Sequence, residues 1–140
     1  MNALKKTITA MLPRSMLSAY HFMLAYVAAI LYGFPSSKIT LIAVTGTKGK
    51  SSTIEYLNAI AEAAGKKTAL SSTIRFKIGE HSEPNLLRMT IPGRFFLQKF
   101  LARAVAAQCD IAFIELTSEG ARQHRHRALQ LDALLFLNLA

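Results

Sequence analysis

The feature that most constrains the fold is the run Leu41–Thr53, LIAVTGTKGKSST. It begins as an apolar, β-branched stretch, continues as a turn with two glycines, and leads directly into a helical pattern of apolar residues. This order is typical of a nucleoside triphosphate site, where loop N–H groups and a helix N-terminus face phosphate oxygens. The general pattern has a further glycine where Val44 stands, so the match is to a shorter variant. A plain Gly/Lys/Ser turn is the alternative.

The residue types of this loop have chemical reasons. Glycine lacks Cβ and therefore allows a tight turn that brings the backbone close to phosphate. Lys50 is expected to contact the β- and γ-phosphates, and the Ser51 hydroxyl to bind Mg²⁺. The predicted nucleotide-binding residues are Gly46, Thr47, Lys48, Gly49, Lys50, Ser51 and Ser52.

Composition limits the class of protein. With 140 residues, 51% of them apolar, the chain can form one domain with a real core. The net charge of +9 favours anionic partners such as nucleotide phosphates, a phosphorylated substrate, anionic lipid or nucleic acid. No recognisable nucleic-acid-binding module occurs, so we expect no nucleic-acid partner. The single cysteine, Cys109, fits a reducing compartment and is expected to be a buried bystander.

Alternating strand and helix patterns predict an α/β protein with a P-loop, Rossmann-like, mostly parallel sheet flanked by helices. Predicted strands cover residues 39–45, 67–72, 73–80, 111–116 and 132–138, the last as a core strand. A helix follows the phosphate loop and ends at Gly65, and another ends near Gln108. Residues 81–88 are expected to form a polar loop, and 121–129 a basic helix.

An apolar N-terminal helix precedes the sheet. Residues 15–34 carry no formal charge apart from a proton on His21, so the helix is expected to be buried in protein or lipid. A span oriented by Lys5, Lys6 and Arg14 would place the phosphate loop outside, away from ATP. We therefore predict a cytoplasmic protein whose helix packs on the domain or lies at the inner face of the membrane, with a genuine span as the alternative.

Polar residues at the carboxyl ends of strands are the other site candidates, because ligands bind there in such sheets. Glu115 stands near the end of an apolar strand and could hold Mg²⁺. A helix cap or a pair with a lysine is the alternative role for this carboxylate. Asn138 follows the last predicted strand.

Together these motifs resemble the Mur ligase family, most of all its tripeptide-synthetase branch. Residues 44–52 are similar to the family's Thr-Gly-Thr-Asn-Gly-Lys-Thr/Ser loop, with Lys48 in place of the asparagine. The other similar segments are Thr90-Ile91-Pro92, Glu115-Leu116-Thr117-Ser118, Gln123-His124-Arg125 and the stretch 132–139.

The resemblance implies an ATP-dependent ligase that adds an amino acid to a UDP-N-acetylmuramyl peptide in peptidoglycan synthesis, through an acyl phosphate. It implies ATP and Mg²⁺ as cofactors, with Lys50 and Glu115 catalytic and with Ser51 and Glu115 as metal ligands. The substrate-binding residues that it implies are Thr90, Pro92, Ser118, Gln123 and Arg125.

The sequence also departs from the family pattern. Met89, Ile91 and Glu119 replace an asparagine, a threonine and a histidine, so substrate contacts are expected to differ. The expected organisation is a basic N-terminus with an apolar helix over 1–37, in place of a UDP-binding domain, and the first part of the ATP-binding domain over 38–140. The family's metal histidine, carbamylated lysine and amino-acid domain would follow Ala140, so this piece alone is expected to be inactive.

Three other functions stay open. They are a folylpolyglutamate synthase-like ligase, a nucleotide-binding module without ligase activity, and a membrane-bound structural protein. The basic cluster 122–127 has three interpretations as well: a solvated helix face, a phosphate contact, or a His-x-His metal site.

Overall fold

The computed structural model describes residues 14–86, 93–117 and 128–139. Three α-helices and six strands occur in this part of the chain, together with a short 3-10 turn at Pro35–Lys38. The helices are α1 (Arg14–Leu31), α2 (Lys50–Ala63) and α3 (Arg94–Ala106). The strands are β1 (Thr40–Thr45), β2 (Thr68–Ser71), β3 (Arg75–Ile78), β4 (His81–Pro84), β5 (Ile111–Glu115) and β6 (Ala133–Phe136).

The strands form one sheet in the order β4-β3-β2-β5-β1-β6. Strand β1 is parallel to both β5 and β6, and β2 is parallel to β5, whereas β3 and β4 are added antiparallel. The predicted α/β class with a mostly parallel sheet is confirmed. Because β1 lies between β5 and β6, the loop after β1, Glu115 at the end of β5, and Asn138 beyond β6 meet at one edge.

The two faces of the sheet are covered by different helices. Side chains alternate between the faces along each strand, so Leu41 and Ala43 face one helix while Val44 faces the other. Helix α2 packs on the Val44 side through Ile54, and α3 packs on the opposite side through Leu97, Phe100 and Leu101. Glu115 lies two residues after Phe113 in β5, so its side chain is on the same face of the sheet, the side covered by α2.

Helix α1 packs against α3 with one face only. Its alanines Ala25, Ala28 and Ala29 are buried, whereas large apolar side chains on the other side are exposed. Within the described residues, α1 thus packs on the domain with one face, and its other face is not covered by protein. Among those residues, no helix has both the length and the apolar character needed to cross a bilayer.

Two predictions need correction. The polar segment after Gly79 begins as strand β4, because Gly79 at φ 57 allows a tight hairpin in which His81 pairs with Ile78. Among the described strands β6 lies at the edge of the sheet, and its Leu134 and Phe136 are more than half exposed while Leu135 packs on the α2 side, so only one face of this predicted core strand is covered. The predicted helix 121–129 lies outside the described residues except for Ala128 and Leu129, and it stays a prediction.

Cys109 fits its expected role. It is buried, its thiol donates to the Thr68 carbonyl oxygen, and burial raises the pKa of the thiol. A raised pKa reduces the thiolate fraction, so this side chain is a poor nucleophile.

A polar network attaches α2 to β2 and β3. The Thr68 hydroxyl lies 2.7 Å from Asn58 Oδ1 and 3.0 Å from Glu62 Oε1. Lys77 Nζ donates to Glu62 Oε1 and, at 3.2 Å, to Thr68 Oγ1. The hydrogen bond from Lys77 holds the pKa of Glu62 below its usual 4.5, against an opposing effect of burial.

The Glu62→Gln variant tests this network. Since the folded pKa of Glu62 is depressed, its charge stabilises the fold above about pH 4.5, and the contribution is lost as pH falls through the folded pKa. We therefore expect the variant to have a lower urea midpoint than the parent at pH 7, with the difference shrinking below pH 4.5. The matched control is Glu80→Gln, an exposed carboxylate on the β3–β4 turn. A difference that does not change with pH would mean that Glu62 acts through packing rather than charge.

Candidate functional site

The loop between β1 and α2 requires its two glycines. Gly46 and Gly49 have φ angles of 144° and 83°, a region that other residues rarely adopt. A Cβ on Gly46 would also lie 3.1 Å from Leu137 Cβ and 3.3 Å from Asn138 N. The loop thus approaches the end of β6 so closely that any larger residue at position 46 would push the two segments apart.

Lys50 lies in the first turn of α2 with its side chain only 14% exposed. Its Nζ donates to Gly46 O at 2.8 Å and to Thr47 O at 3.3 Å. The same atom lies 4.0 Å from Glu115 Oε1. The ammonium group is therefore held between the loop carbonyls and the carboxylate of β5.

Glu115 is the most deeply buried charged side chain of the site, at 3% exposure. Its Oε2 accepts hydrogen bonds from Ser51 Oγ at 3.0 Å, Thr73 N at 2.9 Å and Thr73 Oγ1 at 3.0 Å. Its Oε1 faces Lys50. The two carboxylate oxygens therefore have different partners: Lys50 lies beside Oε1, whereas the hydroxyl and N–H donors lie at Oε2.

Thr73 is a site residue that the sequence did not indicate. Residues 73–80 are predicted as a strand, whereas β3 begins only at Arg75 and Thr73 belongs to the turn after β2. The rule that singled out Glu115, a polar residue at the carboxyl end of a strand, applies to Thr73 once β2 is ended at Ser71.

Asn138 joins the loop to the segment after β6. Its Oδ1 accepts hydrogen bonds from Thr47 N at 3.0 Å, Thr47 Oγ1 at 2.7 Å and Lys48 N at 3.2 Å. Its Nδ2 donates to Lys48 O at 3.2 Å. The sequence marked Asn138 by its position only, and these four bonds give it a defined structural task.

A cleft of about 350 Å³ opens at this edge of the sheet. It is lined by Thr45, Gly46, Thr47, Lys50, Thr117, Phe136, Asn138 and Leu139. Backbone N–H groups, an ammonium group and a hydroxyl are the donors that bind phosphate, and hydroxyl and carboxylate oxygens suit Mg²⁺. In the described part of the chain no three His, Cys, Asp or Glu side chains cluster as a metal site, so a cation here would need phosphate or water oxygens as well.

The structure thus brings together Lys50, Ser51 and Glu115, with Gly46 and Thr47 in the cleft wall. Lys48 and Ser52 are exposed on the loop and the first turn of α2. The predicted substrate residues lie outside the described residues and stay predictions: Thr90, Pro92, Ser118, Gln123 and Arg125.

The fold and the site together define a class of α/β protein in which a glycine-rich loop joins a central strand to a helix. Comparison with known families makes this specific: the family model described as "Mur ligase middle domain" matches residues 44–140. The chain belongs to the Mur ligase family, and the resemblance of its motifs is confirmed.

Curated relatives agree with the family. A UDP-N-acetylmuramyl-tripeptide synthetase from Treponema pallidum is 33% identical over 118 residues, which are 83% of this chain and 22% of the relative. A UDP-N-acetylmuramoyl-L-alanyl-D-glutamate--2,6-diaminopimelate ligase from Syntrophomonas wolfei is 34% identical over 116 residues, 83% of this chain and 23% of the relative. The chain therefore spans less than a quarter of the length of these relatives.

A solved structure shows the same fold. It is a UDP-N-acetylmuramoyl-L-alanyl-D-glutamate--2,6-diaminopimelate ligase, with a TM-score of 0.63 and 24% sequence identity. The alignment covers 73% of this chain and 20% of that structure. At this identity the likeness concerns the fold alone.

The Asn138→Ala variant tests how the loop is held. Since one hydrogen bond contributes a net ~1 kcal/mol, loss of the acceptor should make the Thr47 and Lys48 amides exchange roughly fivefold faster with solvent deuterium. Two-dimensional NMR measures both amides. Asn138→Asp retains an acceptor oxygen and should retain most of the protection. Unchanged exchange in Asn138→Ala would show that other contacts hold the loop.

Proposed function

We propose that the chain is the ATP-binding part of an ATP-dependent ligase that adds an amino acid to a UDP-N-acetylmuramyl peptide during peptidoglycan synthesis. Family membership and the names of the relatives support this proposal. The observation that carries the proposal is the buried Glu115 carboxylate. It is hydrogen-bonded to Ser51 and lies 4.0 Å from Lys50, two residues that directly follow a loop with two positive-φ glycines.

In the proposed reaction a carboxylate oxygen of the muramyl peptide attacks the γ-phosphorus of ATP, ADP leaves with the bridging oxygen, and an acyl phosphate forms. The amine of the incoming amino acid then attacks this carbonyl, and the amide forms as phosphate leaves. Lys50 and the loop N–H groups have the role of stabilising negative charge on the transferring phosphoryl group. Such a transfer depends mainly on positioning, which a loop fixed by Asn138 and Glu115 favours.

Ser51 and Glu115 are the proposed protein ligands of Mg²⁺. Both offer the hard oxygen atoms that this ion prefers, and the Ser51 oxygen can bind a cation through a lone pair while its O–H group donates to Glu115 Oε2. When bound, the ion supplies positive charge that offsets repulsion between phosphate and carboxylate. Thr73 holds the same carboxylate through two bonds and is a positioning residue in this proposal.

The remaining assignments rest on the resemblance of motifs. Thr90, Pro92, Ser118, Gln123 and Arg125 are proposed to contact the UDP-linked peptide. The chain is proposed to divide into residues 1–37 and the nucleotide-binding part 38–140, and to act in the cytoplasm, where ATP is available.

The Lys50→Ala variant tests nucleotide binding. Loss of one charged hydrogen-bond donor is worth about 1.5–3 kcal/mol, so labelling by a photoreactive ATP analogue should need about ten- to a hundredfold more probe. Lys99→Ala removes an exposed lysine from α3, on the other side of the sheet, and should label like the parent. If Lys50→Ala and the parent label equally, the site does not bind nucleotide through this lysine.

The Glu115→Gln variant tests the metal assignment. The amide keeps the size of the side chain but lacks the charge, so we expect the Mg²⁺ concentration for half-maximal labelling to rise about tenfold. Glu55→Gln is the matched control, because Glu55 is a carboxylate of α2 paired with Arg75 away from the loop. Circular dichroism of both variants verifies folding. An unchanged Mg²⁺ requirement would remove Glu115 from the metal site.

A further inference from the structure

Helix α1 presents a continuous apolar stripe to the outside. The stripe follows helical spacing of three and four residues, and its part within α1, from Met16 to Leu31, extends over about 22 Å at 1.5 Å per residue. Its members are between 43% and 68% exposed. They are Met16, Tyr20, Met23, Val27, Ile30, Leu31 and, just past the helix, Phe34.

This stripe cannot turn inward, because the opposite face of α1 is already packed. Ala25, Ala28 and Ala29 are at most 1% exposed, and α1 contacts α3. Small side chains let the helix approach its neighbour closely and fix its rotation. An exposed apolar surface of this extent marks an interaction site in a soluble chain.

The charge around the stripe indicates what covers it. No aspartate or glutamate occurs before Glu55, while Lys5, Lys6 and Arg14 precede the stripe in sequence. At its other end, Lys38 Nζ lies 3.6 Å from the position that a Cβ on Gly33 would occupy. Asp110 and Asp132 line the same cleft as Lys38, so the basic character comes mainly from the segment that precedes the stripe. An apolar stripe preceded in sequence by three basic residues, in a chain of net charge +9, matches an anionic lipid surface.

We infer that the α1 stripe docks in the interface of an anionic membrane, with the helix parallel to the surface. Tyr20 and Tyr26, both exposed, suit the depth of the lipid headgroups. A second copy of the chain fits less well, because pairing two stripes side by side in parallel would bring the two basic segments before them together. The inference is independent of the proposed reaction, because it uses no residue of the cleft.

Flotation of the purified chain with lipid vesicles tests the docking. We expect binding to vesicles of phosphatidylcholine with phosphatidylglycerol, at least tenfold weaker binding to phosphatidylcholine alone, and release of most bound protein in 0.5 M salt. The double variant Met23→Glu/Ile30→Glu should bind anionic vesicles at least tenfold more weakly, since two charges would enter the apolar layer. Thermal melts of each variant verify folding.

The matched control is Ile60→Glu, which places the same charge at an exposed isoleucine of α2 and should float like the parent. Equal binding by the α1 double variant and the parent, or no binding of the parent to anionic vesicles, would overturn the docking surface. Light scattering of the protein without vesicles measures its mass, and therefore tests whether a second copy of the chain covers the stripe instead. A parent dimer that the double variant converts to monomer, without vesicle binding, would assign the stripe to a second copy.

Discussion

The arrangement of the site depends on burying one carboxylate. A charge at 3% exposure is costly unless opposite charge and hydrogen-bond donors surround it. The donors to Glu115 come from two separate segments: Lys50 and Ser51 from the start of α2, and Thr73 from the turn after β2. Satisfying this carboxylate therefore fixes the first turn of α2 and the β2–β3 turn relative to the end of β5.

The conformation of the loop between β1 and α2 depends on a second constraint, which lies on the β6 side of β1. The amide oxygen of Asn138 accepts hydrogen bonds from the N–H groups of Thr47 and Lys48. Lys50 donates to a carbonyl oxygen of the loop itself. These are the groups that a phosphate would engage. Exchanging one hydrogen-bond partner for another changes the net free energy little, so the loop is held in shape at small cost to ligand binding. Close contact of Gly46 with Leu137 adds a steric limit that no hydrogen bond provides.

Local signals were sufficient to predict the parts of the site that are contiguous in sequence. The β1 run, the glycine loop and α2 follow one another, and Glu115 ends an apolar strand, so periodicity and residue type locate them. The task of Asn138 depends on a partner about ninety residues away, which no local pattern shows. The turn at Thr73 was not predicted, because threonine suits a strand as well as a turn. Strand β4 was not predicted either, because a polar edge strand has the composition of a loop. The substrate-binding roles of residues 90, 92, 118, 123 and 125 rest on the resemblance of motifs alone.

Helix α1 illustrates a different limit of sequence analysis. A helix that is apolar all round has no polar face to indicate which side packs inward, so periodicity predicts burial without a direction. The direction follows from size: the alanines pack on α3, where helices must approach closely, and the larger side chains face outward. Helix α1 thus packs against the helix on one face of the sheet, whereas the phosphate-loop helix α2 lies on the other. An apolar contact made by the α1 stripe can therefore be changed by mutation without altering the side chains that surround Glu115.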